Sequence, residues 1–173
     1  MQVLSPAPIL VPISLLEKMP GILEQLLHDA SHEVLHWKPA PERWSIQEVL
    51  AHLAVIEQIY SQRVRRIVME EDPPLAKYLA PSANEVQQKT ARQHLEHFIA
   101  LRRAHVVFLH TVPSAAAGRT GRHYEMGSIS VSQLLYELAN HDLGHLRQLA
   151  ELYRANAFYP HAGPFQRFSH PKP

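Results

Sequence analysis

Residues 127–149 carry the most regular pattern in this chain, with the sequence GSISVSQLLYELANHDLGHLRQL. Ser130 followed by Gln133 has the spacing of a capping box, which predicts the start of a helix. After that start, one set of positions recurs at alternating steps of four and three residues, as in the buried seam of a bundled helix. These positions are Leu134, Leu138, His141, His145, Gln148 and Leu152. We therefore predict a helix that ends near Arg154 or Ala155 and turns two histidines towards the core.

A second stretch, RWSIQEVLAHLAVIE at residues 43–57, has the same organisation. Ser45 and Glu48 form another capping-box pair, so a helix should begin near Ile46, and its apolar positions continue to Met69 or Glu70. His52 falls on the same three- and four-residue rows as the apolar residues around it. It should therefore also face the interior.

Two further helical segments and no convincing strand complete the pattern. One helix is expected from Leu15 or Ile22 to His36, and another from the Ser82 cap to about His110. The Pro- and Gly-containing residues 113–128 are predicted to form a loop. The fold class is therefore all-α, and a four-helix bundle is the simplest architecture. We expect a single domain over residues 1–173, with residues 156–173 as a C-terminal tail.

Composition excludes several classes of function. The 173 residues are 46% apolar, and 17 Lys and Arg nearly balance 16 Asp and Glu, so no basic surface predicts a nucleic-acid or anionic-membrane partner. With no cysteine, thiol chemistry would require a thiol from another molecule. The start, MQVLSPAPILVPISLL, lacks a basic segment and a small-residue cleavage site, and no window is apolar enough to span a bilayer. We predict a cytoplasmic location.

The three inward-facing histidines predict a metal site. His141 and His145 lie four residues apart on one helical face, a spacing that lets two imidazoles bind one ion, and His52 offers a third from another helix. Burying imidazoles without partners is costly, so a shared ion explains all three. Neutral imidazole suits Zn, Ni, Fe or Mn, and three ligands leave a position for water or substrate. Histidines at this spacing that are exposed or satisfied by hydrogen bonds are the competing interpretation.

These two segments together resemble the DinB-like superfamily of small metal-binding four-helix bundles. The family's W-S-x-x-E-x-x-x-H-L segment corresponds to residues 44–53, and its H-D-x-x-H-x-x-Q segment to residues 141–148. The resemblance spans almost the whole chain and places the family's three metal ligands on His52, His141 and His145. Characterised relatives include enzymes that use low-molecular-weight thiols such as bacillithiol and mycothiol, and many members are homodimers.

The resemblance implies a divalent-metal-dependent enzyme acting on a small molecule, either a thiol-dependent transferase or a hydrolase. A bound metal would lower the pKa of a thiol or water towards neutrality, and the lack of cysteine fits both reactions. The alternative is a non-catalytic, homodimeric bundle that binds a metal or ligand. A DNA-related role has only the family name in its favour, and the near-zero net charge argues against it.

Other polar residues are weaker candidates for the site. Gln148, one turn after His145, is expected to orient a substrate, a water or a ligand, or else to bond the backbone. Glu48 could support His52, although its capping position accounts for it equally well. His123 could contact substrate from the loop, and Asp142 should pair with another helix, for instance with an arginine. For Arg63, Arg65 and Arg66 a solvated helix face is favoured over an anion site, and a second metal site among His94, His97, His105 and His110 is disfavoured.

Overall fold

The computed structural model describes residues 8–173 and contains six α-helices and one β-hairpin within that range. The helices are α1 (Leu10–Leu27), α2 (His32–His36), α3 (Ile46–Met69), α4 (Ala83–Gln87), α5 (Ala91–Leu109) and α6 (Val131–Tyr153). The strands are β1 (Thr120–His123) and β2 (Gly127–Ser130). We predict no signal peptide in residues 1–16. The first seven of these residues lie outside the described range.

The four long helices form the predicted bundle. Helices α1 and α3 each pack against both α5 and α6, and the apolar faces of all four meet in the interior. The seam of α6 contributes fully buried leucines at Leu135, Leu138 and Leu149. The predicted all-α fold class is therefore confirmed. Among the described residues, one small β-hairpin is added to the helices.

Capping boxes start most of these helices. The predicted pairs Ser45–Glu48, Ser82–Glu85 and Ser130–Gln133 are all present, with the serine hydroxyl accepting from the third backbone N–H and the longer side chain accepting from the cap N–H. A fourth pair, Thr90–Gln93, begins α5. Local side-chain chemistry thus fixes where α3 and α6 begin, and with them the positions of the three histidines.

Two helix predictions were wrong in extent. The first helix begins earlier, at Leu10, and ends at Leu27, after which Ser31 caps the separate helix α2. The predicted helix from residue 82 to 110 is interrupted, because Thr90 caps a new helix and ends the short α4. Ile22, the alternative start, lies inside α1 on its exposed side.

The predicted loop at residues 113–128 is only partly a loop. It contains a short 3-10 turn (Ser114–Gly118) and then the β1 strand, which pairs antiparallel with β2 from Thr120–Ser130 to His123–Gly127. Arg122 extends the pairing by exchanging backbone hydrogen bonds with Pro73 and Leu75. A Cβ at Gly121 would lie 2.8 Å from Leu75 and 2.9 Å from Ile67, so only glycine lets the hairpin approach α3 this closely.

A buried ion network ties α3, α5 and α6 together. Arg102 donates to Glu57 (Nε to Oε2, 2.8 Å) and to Asp142 (Nη1 to Oδ2, 2.6 Å), and His105 Nδ1 lies 2.7 Å from Glu57 Oε1. All four side chains are fully buried. The prediction that Asp142 pairs with an arginine from another helix is confirmed, and the contact fixes the residue next to His141.

Residues beyond α6 pack back along that helix. The tail contains a π-helical turn (Arg154–Phe158) and 3-10 turns at Tyr159–His161 and Gly163–Phe168. Lys172 donates its backbone N–H to Glu151 at 2.9 Å, and Arg43 donates to the carbonyl oxygen of Pro173 at 2.6 Å. None of the described helices is both long and apolar enough to cross a membrane.

Candidate metal centre

The three predicted histidines meet where the N-terminal half of α3 faces the C-terminal half of α6. One nitrogen from each of His52, His141 and His145 falls within a group whose atoms are all within 4.8 Å of one another. The Nε2 atoms of His52 and His141 are 3.0 Å apart. His52 is buried, and the two α6 histidines are partly buried. The four-residue spacing places them on successive turns of α6.

Hydrogen bonds at the other ring nitrogen orient two of these imidazoles. His145 Nδ1 lies 2.8 Å from Gln148 Oε1, and because a carbonyl oxygen can only accept, Nδ1 carries the proton and Nε2 keeps its lone pair. His52 Nδ1 lies 2.9 Å from the Tyr78 hydroxyl, whose oxygen can accept a hydrogen bond from it in the same way. The Nδ1 atom of His141 is buried without a hydrogen-bond partner among the described residues.

Burial keeps two of the rings neutral near pH 7. Burial, together with the neighbouring His145, lowers the pKa of His52 to about 4. Burial lowers the pKa of His141 to about 3, with further lowering from His145, His52 and the charge of Arg102. A neutral imidazole has the lone pair that metal coordination requires, so both rings are ready to bind a cation without first losing a proton.

The geometry and the donor set both fit one divalent ion. Two nitrogen ligands at about 2.0–2.1 Å from a zinc ion are about 2.9–3.4 Å apart, depending on the angle between them. The 3.0 Å separation of the His52 and His141 Nε2 atoms lies in that range. Within residues 8–173, no fourth His, Asp or Glu joins the cluster, so the protein ligands leave coordination positions open.

The cluster opens into a cavity of about 480 Å³. His141, His145 and Gln148 line one wall, and Lys172 and Pro173 of the tail line the edge. The Trp44 ring stacks parallel to His145 at 6.2 Å between centroids and lies 5.0 Å from His52. A larger cavity of about 670 Å³ lies between residues 8–13 and 109–118, and its lining is mostly apolar. Because His141 and His145 line the cavity of about 480 Å³, we assign the site to that cavity.

The structure separates the weaker candidates. Gln148 contacts His145 directly, as one of its predicted roles requires. Glu48 uses its carboxylate on Ser45 and on Lys38 at 2.9 Å, so it serves as the cap and does not support His52. His123 lies outside the cluster, in a neighbouring cavity of the hairpin. No second group of metal-binding side chains occurs in the described part of the chain.

Three residues near the centre were not singled out from the sequence as site residues. Tyr78 comes from the long connection after α3, where no helical period indicates its direction. Trp44 entered only as the first residue of the family segment at residues 44–53, although its position just before α3 places its ring beside those of His52 and His145. Glu137 lines the cavity and could have been noticed, because it lies one turn before His141 on the same face of α6.

Comparison with known proteins identifies the family and the fold. The DinB superfamily matches over residues 15–149. The chain belongs to the DinB superfamily. Among solved structures, it is similar to YfiT from Bacillus subtilis, with a TM-score of 0.78, 20% sequence identity and coverage of 89% of this chain and 90% of that chain. YfiT is described as a probable metal-dependent hydrolase with an unusual four-helix bundle topology. No curated protein matches the chain.

At this level of identity, the likeness to YfiT shows the shared fold. The DinB superfamily match covers both histidine-bearing segments, since residues 15–149 include α3 and α6 as far as Leu149. The predicted family and fold are therefore confirmed.

Proposed function

We propose that this DinB superfamily member is a divalent-metal-dependent hydrolase of a small molecule, with the metal held by His52, His141 and His145. The observation that carries the proposal is the convergence of three imidazoles without a fourth protein ligand in the described residues, two of which, His141 and His145, line a cavity. The description of YfiT as a probable metal-dependent hydrolase supports the same class of reaction.

The side chains around the centre have separate roles in this proposal. Gln148 and Tyr78 fix the ring orientations of His145 and His52, so that the Nε2 lone pairs point to one place. Trp44 packs its ring beside those of His52 and His145. A divalent metal bound by the three rings would supply Lewis-acid chemistry, lowering the pKa of a water or thiol near it.

Glu137 is the carboxylate that we assign to proton transfer. It lines the same cavity as His141 and His145, one helical turn from His141, and among the described residues it has no salt bridge that would occupy it. A carboxylate at this position can accept the proton that the attacking nucleophile loses and return it to the leaving group.

Metal content and turnover test the proposal together. Wild-type protein is loaded separately with Zn, Ni, Fe or Mn, analysed for bound metal, and assayed on ester, amide and thioester substrates. We expect about one ion per chain and turnover with at least one metal. The variant H52A/H141A/H145A should hold no stoichiometric metal, and Glu137→Gln should keep the metal while its kcat falls about 100-fold.

The same assay discriminates the alternatives. Turnover that requires added bacillithiol or another small thiol would replace hydrolysis by a thiol-dependent transfer. Stoichiometric metal without turnover on any substrate would favour a non-catalytic binding bundle. Equal metal content in wild type and the triple variant would refute the site itself. The homodimer, the cytoplasmic location and the small-molecule partner stay predictions.

A further inference from the structure

A second cavity, of about 540 Å³, lies beside the histidine centre. It is enclosed by the C-terminal half of α3, the hairpin and the first half of α6, and its polar lining includes Tyr60, Arg63, His123 and Glu137. Glu137 also lines the cavity of the histidine centre, so the two spaces meet at this residue. Glu137 is one turn from His141, about 6 Å along α6, so one small molecule can contact both of these residues.

Arg63 gives this cavity a buried positive charge. The side chain is only 5% exposed, and its Nε and Nη2 atoms both donate to the carbonyl oxygen of Ala76, at 3.1 and 2.6 Å. Within residues 8–173, no carboxylate lies within 4.0 Å of the guanidinium. The guanidinium therefore has a neutral carbonyl as acceptor and the Tyr60 ring 5.5 Å away, but no counter-ion, and a buried cation without a counter-ion is costly. An anionic ligand would remove that cost.

His123 adds a hydrogen-bond donor to the same cavity. Its Nδ1 accepts from the backbone N–H groups of Glu125 and Met126, at 3.3 and 3.4 Å, so the neutral ring carries its proton on Nε2. Burial, and then the nearby charge of Arg63, lowers the pKa of His123 and favours this neutral form. A guanidinium and an imidazole N–H on one cavity wall are the donor types that bind carboxylate or phosphate.

The arrangement selects a particular class of substrate. Arg63 follows His52 by eleven residues on α3, close to three turns, which places it on nearly the same helical face about 16 Å further along. We propose that the Arg63–His123 cavity binds the anionic group, a carboxylate or a phosphate, of the substrate that reacts at the histidine centre. This inference rests on the proposed function and implies a substrate whose anionic group is several bonds away from its reactive group.

Anion binding can be measured without any reaction. Calorimetric titrations with glutarate and with inorganic phosphate are made on wild type and on Arg63→Gln, with Arg65→Gln as the matched control. Arg65 has the same charge two residues away, but its guanidinium lies over Phe108 on α5. We expect Arg63→Gln to weaken binding at least about 10-fold and Arg65→Gln to leave it unchanged. Preference for glutarate or for phosphate assigns the anionic group.

Arg63→Gln also removes the hydrogen bonds from Arg63 to Ala76, so a loss of anion binding by this variant has a second explanation in a disturbed fold. A second variant that keeps Arg63 separates the two explanations. Met126 lines the cavity and is 71% exposed, so Met126→Glu adds a negative charge without disturbing the core. It should also weaken anion binding about 10-fold, while its thermal unfolding stays that of wild type. No binding of either anion by wild type, or binding by both Arg63→Gln and Met126→Glu that is as tight as that of wild type, would overturn the proposal.

Two further experiments relate the Arg63–His123 cavity to the reaction and distinguish a failure of this proposal from a failure of the proposed function. The metal-free H52A/H141A/H145A variant should still bind the anion, so loss of the metal site is a different result from loss of this cavity. If esters are turned over, wild type should prefer the 4-nitrophenyl half-ester of sebacate, a ten-carbon diacid, to 4-nitrophenyl nonanoate at least about 10-fold in kcat/KM, and Arg63→Gln should lose that preference. Equal preference in both proteins would contradict the assignment.

Discussion

At the scale of single residues, the orientation of each imidazole depends on the partner of its second nitrogen. Gln148 can only accept from His145 through its carbonyl oxygen, so it sets the tautomer of that ring without ambiguity. The Tyr78 hydroxyl can both donate and accept, and it sets the tautomer of His52 less strictly. His141 has no such partner in the described residues, and packing alone holds its ring.

Replacing Gln148 should therefore weaken metal binding without damaging the fold. Gln148→Leu removes the acceptor of His145 Nδ1, and loss of such a partner typically reduces metal affinity about 10- to 100-fold. Gln148→Glu keeps an acceptor at the same place and should retain most of the affinity. Competition with a chromophoric chelator measures both constants. Equal affinities for Gln148→Leu and wild type would show that the contact does not orient the ligand.

The neutral histidines also predict how acid affects the metal-free protein. In the unfolded chain a histidine titrates near pH 6.5, whereas the folded pKa values are about 4 for His52 and about 3 for His141. As the pH falls from about 6.5 towards 4, the unfolded chain binds protons that these folded rings do not, so the free energy of unfolding decreases. Above about pH 6.5 the two rings have no such effect.

Urea unfolding in the presence of a chelator, at pH 7 and pH 5, measures this loss. The other histidines also titrate in this interval, so the variant H52Q/H141Q, which lacks both rings, is the control. It should lose less stability between the two pH values than wild type does. A loss of the same size in both proteins would mean that these two rings are not responsible.

At the scale of helices, the sequence predicts well whatever follows from a helical period or from a cap. The seam of residues 134–152 and the Ser45–Glu48 pair place His52, His141 and His145 on inward faces, and the structure brings these three together. The sequence also contains the signal for the break before α5, because Thr90 and Gln93 have capping-box spacing. It was missed because the apolar period continues on both sides of the break.

Features that depend on contacts between distant segments could not be predicted in this way. The hairpin strands have no alternation of apolar and polar residues, and they form because Arg122 pairs with the backbone of Pro73 and Leu75 and because Gly121 fits against α3. Tyr78 lies in an irregular connection, 26 residues after His52, whose ring it contacts. Such contacts depend on how the loops fold over the bundle, and no local pattern encodes them.

The Arg102 network should be the most sensitive point in helix packing. Arg102→Met leaves Glu57 and Asp142 buried without their cation, and breaking a buried ion pair in this way costs about 3–5 kcal/mol. Arg103→Met is the matched control, because Arg103 is exposed and its nearest carboxylate, on Glu24, is 3.9 Å away. Its effect should stay below about 1 kcal/mol.

Chemical unfolding measures both variants, and metal affinity is measured at the same time. Asp142 is the neighbour of His141, so loss of its arginine partner should also disturb the position of that ligand. Equal stability of Arg102→Met and Arg103→Met would show that the network contributes no more than a surface pair.

At the scale of the whole molecule, the proposed metal would join helices that are distant in sequence. His52 on α3 and the two ligands on α6 are separated by 89 residues or more, and these helices already pack against each other through the core. A ligand that binds only the folded chain stabilises it according to its concentration and affinity. Because the unfolded chain cannot keep the three rings together, a divalent ion should stabilise the fold as a whole.

The expected effect can be calculated and measured. At a free metal concentration of about 100 times Kd, the gain is about 2.7 kcal/mol. For a domain of this size, each kcal/mol raises Tm by about 2–4 °C, so Tm should rise by about 5–11 °C. Thermal unfolding followed by circular dichroism, with zinc and then with excess chelator, tests this prediction. H52A/H141A/H145A should show no such rise, because no other group of three metal-binding side chains occurs among the described residues.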